Sequence, residues 1–340
     1  MRALTPARLA GWIAVFTAAL CAALWLGLVS GSSAIAPGAV LDALRGDAAS
    51  ASVRDIVWGV RLPRVALGAL VGASLATAGA LFQALLRNPL ADPFVLGVSG
   101  GAAVGGIAAL SLGAAFGWGY GAVPPAAFAG AVATTAALQA VAGVAGRVSP
   151  THLLLTGVVF NAFSSAAIVF LASLSDLNEG SRIFLWLIGS LSASRPELLG
   201  PVALFLVAGL ACALPAARQL NLLALGEESA QQLGVDVARQ QRVLLLATSL
   251  MVGAAVSVAG LVGFVGLIIP HLLRLLLGPD HRLLLPTAAL GGATFLVLCD
   301  TAARTFFGGR ELPVGAITAL AGGPLFLLLL RRQHQRAFAP

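Results

Sequence analysis

Residues 61–106 read RLPRVALGALVGASLATAGALFQALLRNPLADPFVLGVSGGAAVGG. Two apolar segments, both rich in glycine and alanine, are joined by a polar turn, RNPLADP. The first, residues 65–86, has about the ~20 residues that a helix needs to cross a bilayer. Small residues recur four apart: Gly68 and Gly72, Ala76 and Ala80, then Gly97, Gly101 and Gly105. This spacing gathers them on one helix face, where two backbones approach closely in lipid. Pro89 and Pro93 forbid a continuous helix through the turn. The stretch is therefore a membrane helical hairpin, with Arg61 and Arg64 before its first helix and Arg87 after it.

The rest of the chain has the same character. Of 340 residues, 59% are hydrophobic and only 10% charged, far below the roughly 25% charged of soluble domains. Length alone would suggest about two domains. Apolar runs continue throughout, so residues 1–340 read as one all-α polytopic bundle without a soluble domain. A β-barrel would need short segments of alternating polarity, and none is present. The net charge of +7 comes from arginine, since the chain has no lysine. The arginines lie scattered at the ends of apolar runs, which excludes nucleic acid as a partner. A phosphate-binding loop of the G-x-x-x-x-G-K-[ST] type requires a lysine, so any ATP-driven work needs an ATPase on another polypeptide. Cys21, Cys212 and Cys299 sit within apolar runs without metal-ligand spacing and read as buried small residues.

Taken in order, the chain gives ten spans with both termini cytoplasmic. Arg2 and Arg8 keep the start inside, and residues 9–29 form a retained first span, long for a signal peptide. Residues 32–60 are external, with 53–58 at the interface. The second span starts at Val65, RNPLADP is an inner turn, and the third span climbs from about Phe94 to Phe116. Residues 126–144 descend, SPTH turns inside, and 153–174 form the fifth span with Asn161, Ser164 and Ser165. Residues 175–181 are external, and 183–191 are too short to cross and read as a re-entrant or packed half-helix. Span six is 198–214. The longest inner loop follows, with short amphipathic helices over 219–239 broken near Gly226 and Gly234. Spans seven to ten are 243–262, 264–277, 283–299 and 314–330. Asp300 and Arg304 form an i,i+4 pair. His271 reads as a helix-end histidine partnered locally rather than a metal ligand. Twelve arginines fall on inner segments and eight on outer ones. The bias is modest, so the outer arginines need a reason of their own.

Three function classes compete for such a chain. An ion-coupled secondary transporter usually keeps charges or broken helices at the bilayer midplane; these spans hold essentially no midplane charge. A membrane enzyme is remote, with no HExxH and no recognisable Ser/His/Asp set. The strings RLPR, RNPLADPFVLGVSGGA, LALGEESAQQLGV, IIPHLLR and ELPVG together resemble the FecCD-like permease family over nearly the whole chain. That resemblance implies the permease of a type II ABC importer for haem, ferric siderophores or cobalamin in the bacterial inner membrane. An iron compound is favoured on family frequency alone.

Several expectations follow from it. The permease works as a homodimer with two ABC ATPase subunits, which hold ATP and Mg, and with a periplasmic substrate-binding protein. The chain itself binds no cofactor or metal and is not an enzyme. Arg61, Arg64 and Arg304 receive glutamates of the binding protein. Leu225, Gly226, Ala230, Leu233 and Gly234 contact the ATPase. Asn88, Pro89 and Leu90, with Ser149, Pro150 and Thr151, close the cytoplasmic gate. Asn161, Ser164 and Ser165 line the pathway, with interhelical bonding as the equal alternative.

Overall fold

The computed structural model describes residues 4–337, except 32, 48–49, 145–146, 149, 176, 193–194 and 307–310. α1 (Pro6–Val29) starts with Thr5 as its cap, the Thr5 hydroxyl accepting from the Arg8 main-chain N–H, and with Pro6 preset for the first turn. α2 (Pro37–Arg45) and α3 (Ala51–Ile56) occupy the segment read as external. α3 then continues through a π-helical turn, Val57–Arg61, into α4 (Leu62–Leu85). The second span thus does not begin at Val65; it belongs to a rod of 35 residues, Ala51–Leu85. Pro63 lacks an N–H and its ring pushes away the carbonyl one turn back. The wider π turn, in which Leu62 N–H bonds to the Val57 carbonyl, absorbs that misfit.

Next come α5 (Val98–Phe116), α6 (Val123–Ala142), a two-rung antiparallel ladder pairing Gly143 with Val148, and α7 (Pro150–Ser173). The expected half-helix is α8 (Leu177–Ile188), which starts within the segment read as loop. α9 (Leu199–Ala213) leads to two short helices, α10 (Ala217–Leu223) and α11 (Glu227–Gln232). α12 (Val237–Ala259), α13 (Val265–Leu277), α14 (His281–Thr305) and α15 (Val314–Ala337) complete the chain. Among the described residues, seven helices are long and apolar enough to cross a membrane. Three shorter ones, Val98–Gly113, Val265–Leu277 and Val314–Leu328, bring the bundle to ten. An even number of spans puts both termini on one side.

α4 is the axis of the bundle. In its apolar window 83% of residues are buried, against 17% in α1 and α7, and α14 is its main partner. The reason is visible at Gly72 and Gly292, where a methyl group added to either would collide with the other's carbonyl. α5 and α6 cross in the same way at Gly101 and Gly130. The ladder of small residues thus sets backbone contact, as its spacing predicts. α13 is only 13 residues, roughly 20 Å long. The irregular segment 260–264 covers the remaining depth. It is tolerated there because it is packed inside protein, where a methyl group on Gly260 would meet Trp186 O and one on Gly189 or Gly315 would meet Leu261 O. Cys299 is buried, but Cys21 and Cys212 are exposed on α1 and α9. The expectation of burial fails for those two because an apolar run fixes a helix, not which face of it turns inward.

The two ends of the bundle are distinct. Arg8 bonds to Leu277 O at 3.0 Å, and Asn221 bonds to Asp280 at 2.8 Å. These contacts gather the start of α1, the end of α13, the start of α14 and α10 at one end, the inner one. Gly27, Arg61, Arg64, Arg304 and Glu311 meet at the opposite, outer end.

Candidate functional site

At the outer end the three arginines expected to receive a binding protein do not project outward. Arg61, Arg64 and Arg304 are only 3, 6 and 5% exposed. Arg61 donates to Leu28 O at 2.7 Å and Val29 O at 3.1 Å, and also to Ser33 O. Arg304 donates to Gly27 O and Ser30 O, both at 3.1 Å. These carbonyls belong to the end of α1, which leaves its last C=O groups without helical partners. Two guanidiniums from elsewhere in the chain supply them and complement the negative helix terminus. That is the reason arginine stands at these outer positions.

Arg64 has a different task. Its guanidinium sits 3.0 Å from Asp300 and 2.8 Å from Glu311, while Arg304 lies 2.9 Å from the same Asp300. The expected Asp300–Arg304 pair is present, as one side of a buried triad. Removing Asp300 would leave two buried guanidiniums short of a counter-charge, a loss of about 3–5 kcal/mol for a buried pair. Glu311, 44% exposed on its side chain, is the member of this network that faces out.

Beside it, an outer cavity of about 350 Å³ is lined by Tyr120, Arg182, Trp186, Ser190, Arg195 and Glu311, among others. Arg182 and Arg195 have no ion-pair partner among the described residues. The sequence reading assigned these two no role. Their signal, two arginines flanking an apolar half-helix, is too common to single out.

At the inner end, two short amphipathic helices break at Gly226 and Gly234, as expected. Both glycines have the positive φ that such turns demand, +112° and +85°. The first helix begins at Ala217, two residues before the expected 219. Leu225 and Leu233 are 67 and 61% exposed on this surface. Ala230 is fully buried, with its main-chain carbonyl accepting from Val235. It cannot be a partner contact in this conformation, because α11 turns its small residue inward. α10 is moored to α14 by Asn221, which bonds Asp280 and accepts from the His281 main chain at 2.9 Å. Hydrogen bonds from Arg282, then from Asn221, hold the Asp280 carboxyl down at about 2.

The RNPLADP turn is fastened on both sides. α4 ends with Arg87 in the left-handed region, φ +49°, and the Asn88 N–H bonds back to Gln83 O at 3.1 Å. Arg87 pairs with Glu227 of α11 at 3.0 Å. The ring of His271 bonds to the main chain of Pro89, whose only polar group is its carbonyl. This histidine is therefore partnered, as expected, but from within α13 and across the fold. Asn88 accepts from the Leu90 N–H at 2.9 Å, and Leu90 is exposed. Of the second expected gate segment, Ser149 lies outside the described residues, and Pro150 and Thr151 open α7. No hydrogen bond joins the two segments among the described residues.

The expected pathway face of α7 divides. Asn161 donates to Phe94 O at 2.8 Å and Val95 O at 3.2 Å, and Ser164 is buried against Gly100. Asn161 bonds to the turn before α5 and Ser164 packs against α5, and only Ser165 lies on the exposed side. Three and four residues from Asn161 fall on neighbouring faces of one helix, so sequence alone could not separate them.

A model of the FecCD transport family matches residues 19–332. The cobalamin import system permease BtuC of Halobacterium salinarum is 48% identical over 83% of this chain and 75% of its own length. The hemin transport system permease HmuU of Yersinia pestis is 41% identical over 84% of this chain and 87% of its own. A solved structure of a metal-chelate type ABC transporter in an inward-facing conformation superposes with a TM-score of 0.81. It is 30% identical, covering 95% of this chain and 99% of that one.

Proposed function

Because the chain belongs to the FecCD transport family, it is a permease subunit of an ABC importer in the bacterial inner membrane, and we propose how its parts serve that task. The chain is a transport component and not an enzyme. It works as a homodimer with two ABC ATPase subunits carrying ATP and Mg, and a periplasmic binding protein delivers the cargo. ATP binding in the partner biases alternating access through differential contact at α10 and α11. The observation that carries this reading is the pair Leu225 and Leu233, two large apolar side chains exposed at the polar inner end. Outside the bilayer such residues mark a protein contact when they cluster. Each stands directly before a glycine break, Leu225 before Gly226 and Leu233 before Gly234. Substituting Leu225→Glu and Leu233→Glu together should leave thermal stability intact and strip the ATPase from the purified complex. An unchanged complex would count against the assignment.

At the outer end, docking takes place over the triad. Carboxylates of the binding protein reach Arg64 by replacing the exposed Glu311, so the contact fixes register more than it supplies affinity. Arg61 and Arg304 support that surface by holding the end of α1 beneath it. The cargo is a metal chelate. Arg182 and Arg195, which line the outer cavity, favour an acidic one, such as haem or a ferric siderophore. Cobalamin is the second reading, favoured by the identity to the haloarchaeal permease.

A further inference from the structure

The αL position after a helix normally belongs to glycine, because a side chain there strains the backbone. α4 ends instead on Arg87, at φ +49° with its N–H bonded to Ala84 O. Every other described non-glycine residue has negative φ except Phe264. Helix geometry alone does not explain arginine here. Its partner does: the guanidinium reaches Glu227, the first residue of α11, 140 positions away in sequence. The same Glu227 oxygen accepts from Gln241 of α12 at 3.3 Å. One residue past Arg87 begins the Asn88, Pro89, Leu90 turn, and Pro89 is held from the other side by His271. One turn before Arg87, Gln83 donates to Leu267 O at 3.2 Å and accepts from Arg274 at 3.2 Å. The turn is thus seated on α13 by a few hydrogen bonds and has one ionic link to α11.

We propose that Arg87 is a positioning residue that transmits movement of α11 to the inner turn through its ion pair with Glu227. This rests on the reading of α10 and α11 as the ATPase contact. When the ATPase shifts α11, Glu227 draws the end of α4 with it, and the turn leaves or closes the inner mouth. The pair is solvent-facing, so it adds little to stability. Its value lies in where it connects, and retention of a strained arginine fits a functional use of that strain.

The test uses the reconstituted complex with ATPase and binding protein. It reads the ratio of carrier-stimulated to basal ATP hydrolysis, and in parallel the thermal stability of the permease. Arg87→Asn keeps a residue that tolerates the left-handed region but deletes the charge. It should leave stability at or above wild type and lower the ratio by about two- to fivefold, the size an exposed ion pair supports. Glu227→Gln should match it. Exchanging the charges, Arg87→Glu with Glu227→Arg, should restore most of the ratio. An unchanged ratio in both single variants, or an exchange that restores nothing, overturns the proposal. A wild-type complex without any carrier stimulation would take down the permease reading itself, and the proposal with it.

Discussion

At the residue scale, several polar side chains inside this bundle fix main chain. Arg61 and Arg304 serve the end of α1, Asn161 serves the turn before α5, and Asp92 caps that turn by accepting from Phe94 N–H at 2.8 Å. Asp92 has a consequence that can be measured. Burial pushes its carboxyl up to about 6, against the opposing hydrogen bond from Phe94. A carboxyl raised in the folded state favours folding in its protonated form. Its ionisation works against the fold as pH rises from about 4 to about 6, and the loss persists above that. Asn caps as well as Asp and carries no charge. Asp92→Asn should therefore raise the melting temperature at pH 7.5 and change nothing below about pH 4, as followed by thermal denaturation in detergent. A loss of stability at pH 7.5 would show that the ionised form is needed.

At the element scale, much was legible. The four-residue recurrence of small side chains located the α4 face that meets Gly292, and Gly226 and Gly234 marked the breaks in the inner loop. What stayed hidden was three-dimensional. No local pattern tells that Arg304 turns back onto carbonyls near residue 30, or that Ala230 faces inward between helices while Leu225 and Leu233 face out. The second span was expected to start at Val65, after RLPR. Here a π turn carries the helix through it. The α4 and α14 crossing allows a direct check. Gly72→Val would drive two methyl groups into the Gly292 backbone and part the helices, with an expected cost of about 1–3 kcal/mol for overpacking. The melting temperature should fall clearly, whereas Gly38→Val on α2, where nothing lies within 4 Å, should leave it unchanged.

At the scale of the whole molecule, the bundle has a well-packed axis and sparsely covered flanks. α4, α12 and α14 are mostly buried, whereas α1, α7 and α9 show apolar faces suited to lipid or to a second copy of the chain. The outer end is locked by an arginine network and the inner end by ties that run through one turn. The chain has no lysine for a phosphate loop, and among the described residues the buried ion pairs, Arg64 and Arg304 with Asp300, lie at the outer end. The central claim is that this polypeptide is a conduit whose uphill transport is powered by ATP hydrolysis in a separate subunit. It is tested most directly by uptake of radiolabelled cobalamin and haem into proteoliposomes, with the permease alone or assembled with its ATPase and binding protein. Accumulation above the external concentration should appear only in the assembled system and only with ATP. Accumulation by the permease alone under a proton or sodium gradient would contradict it.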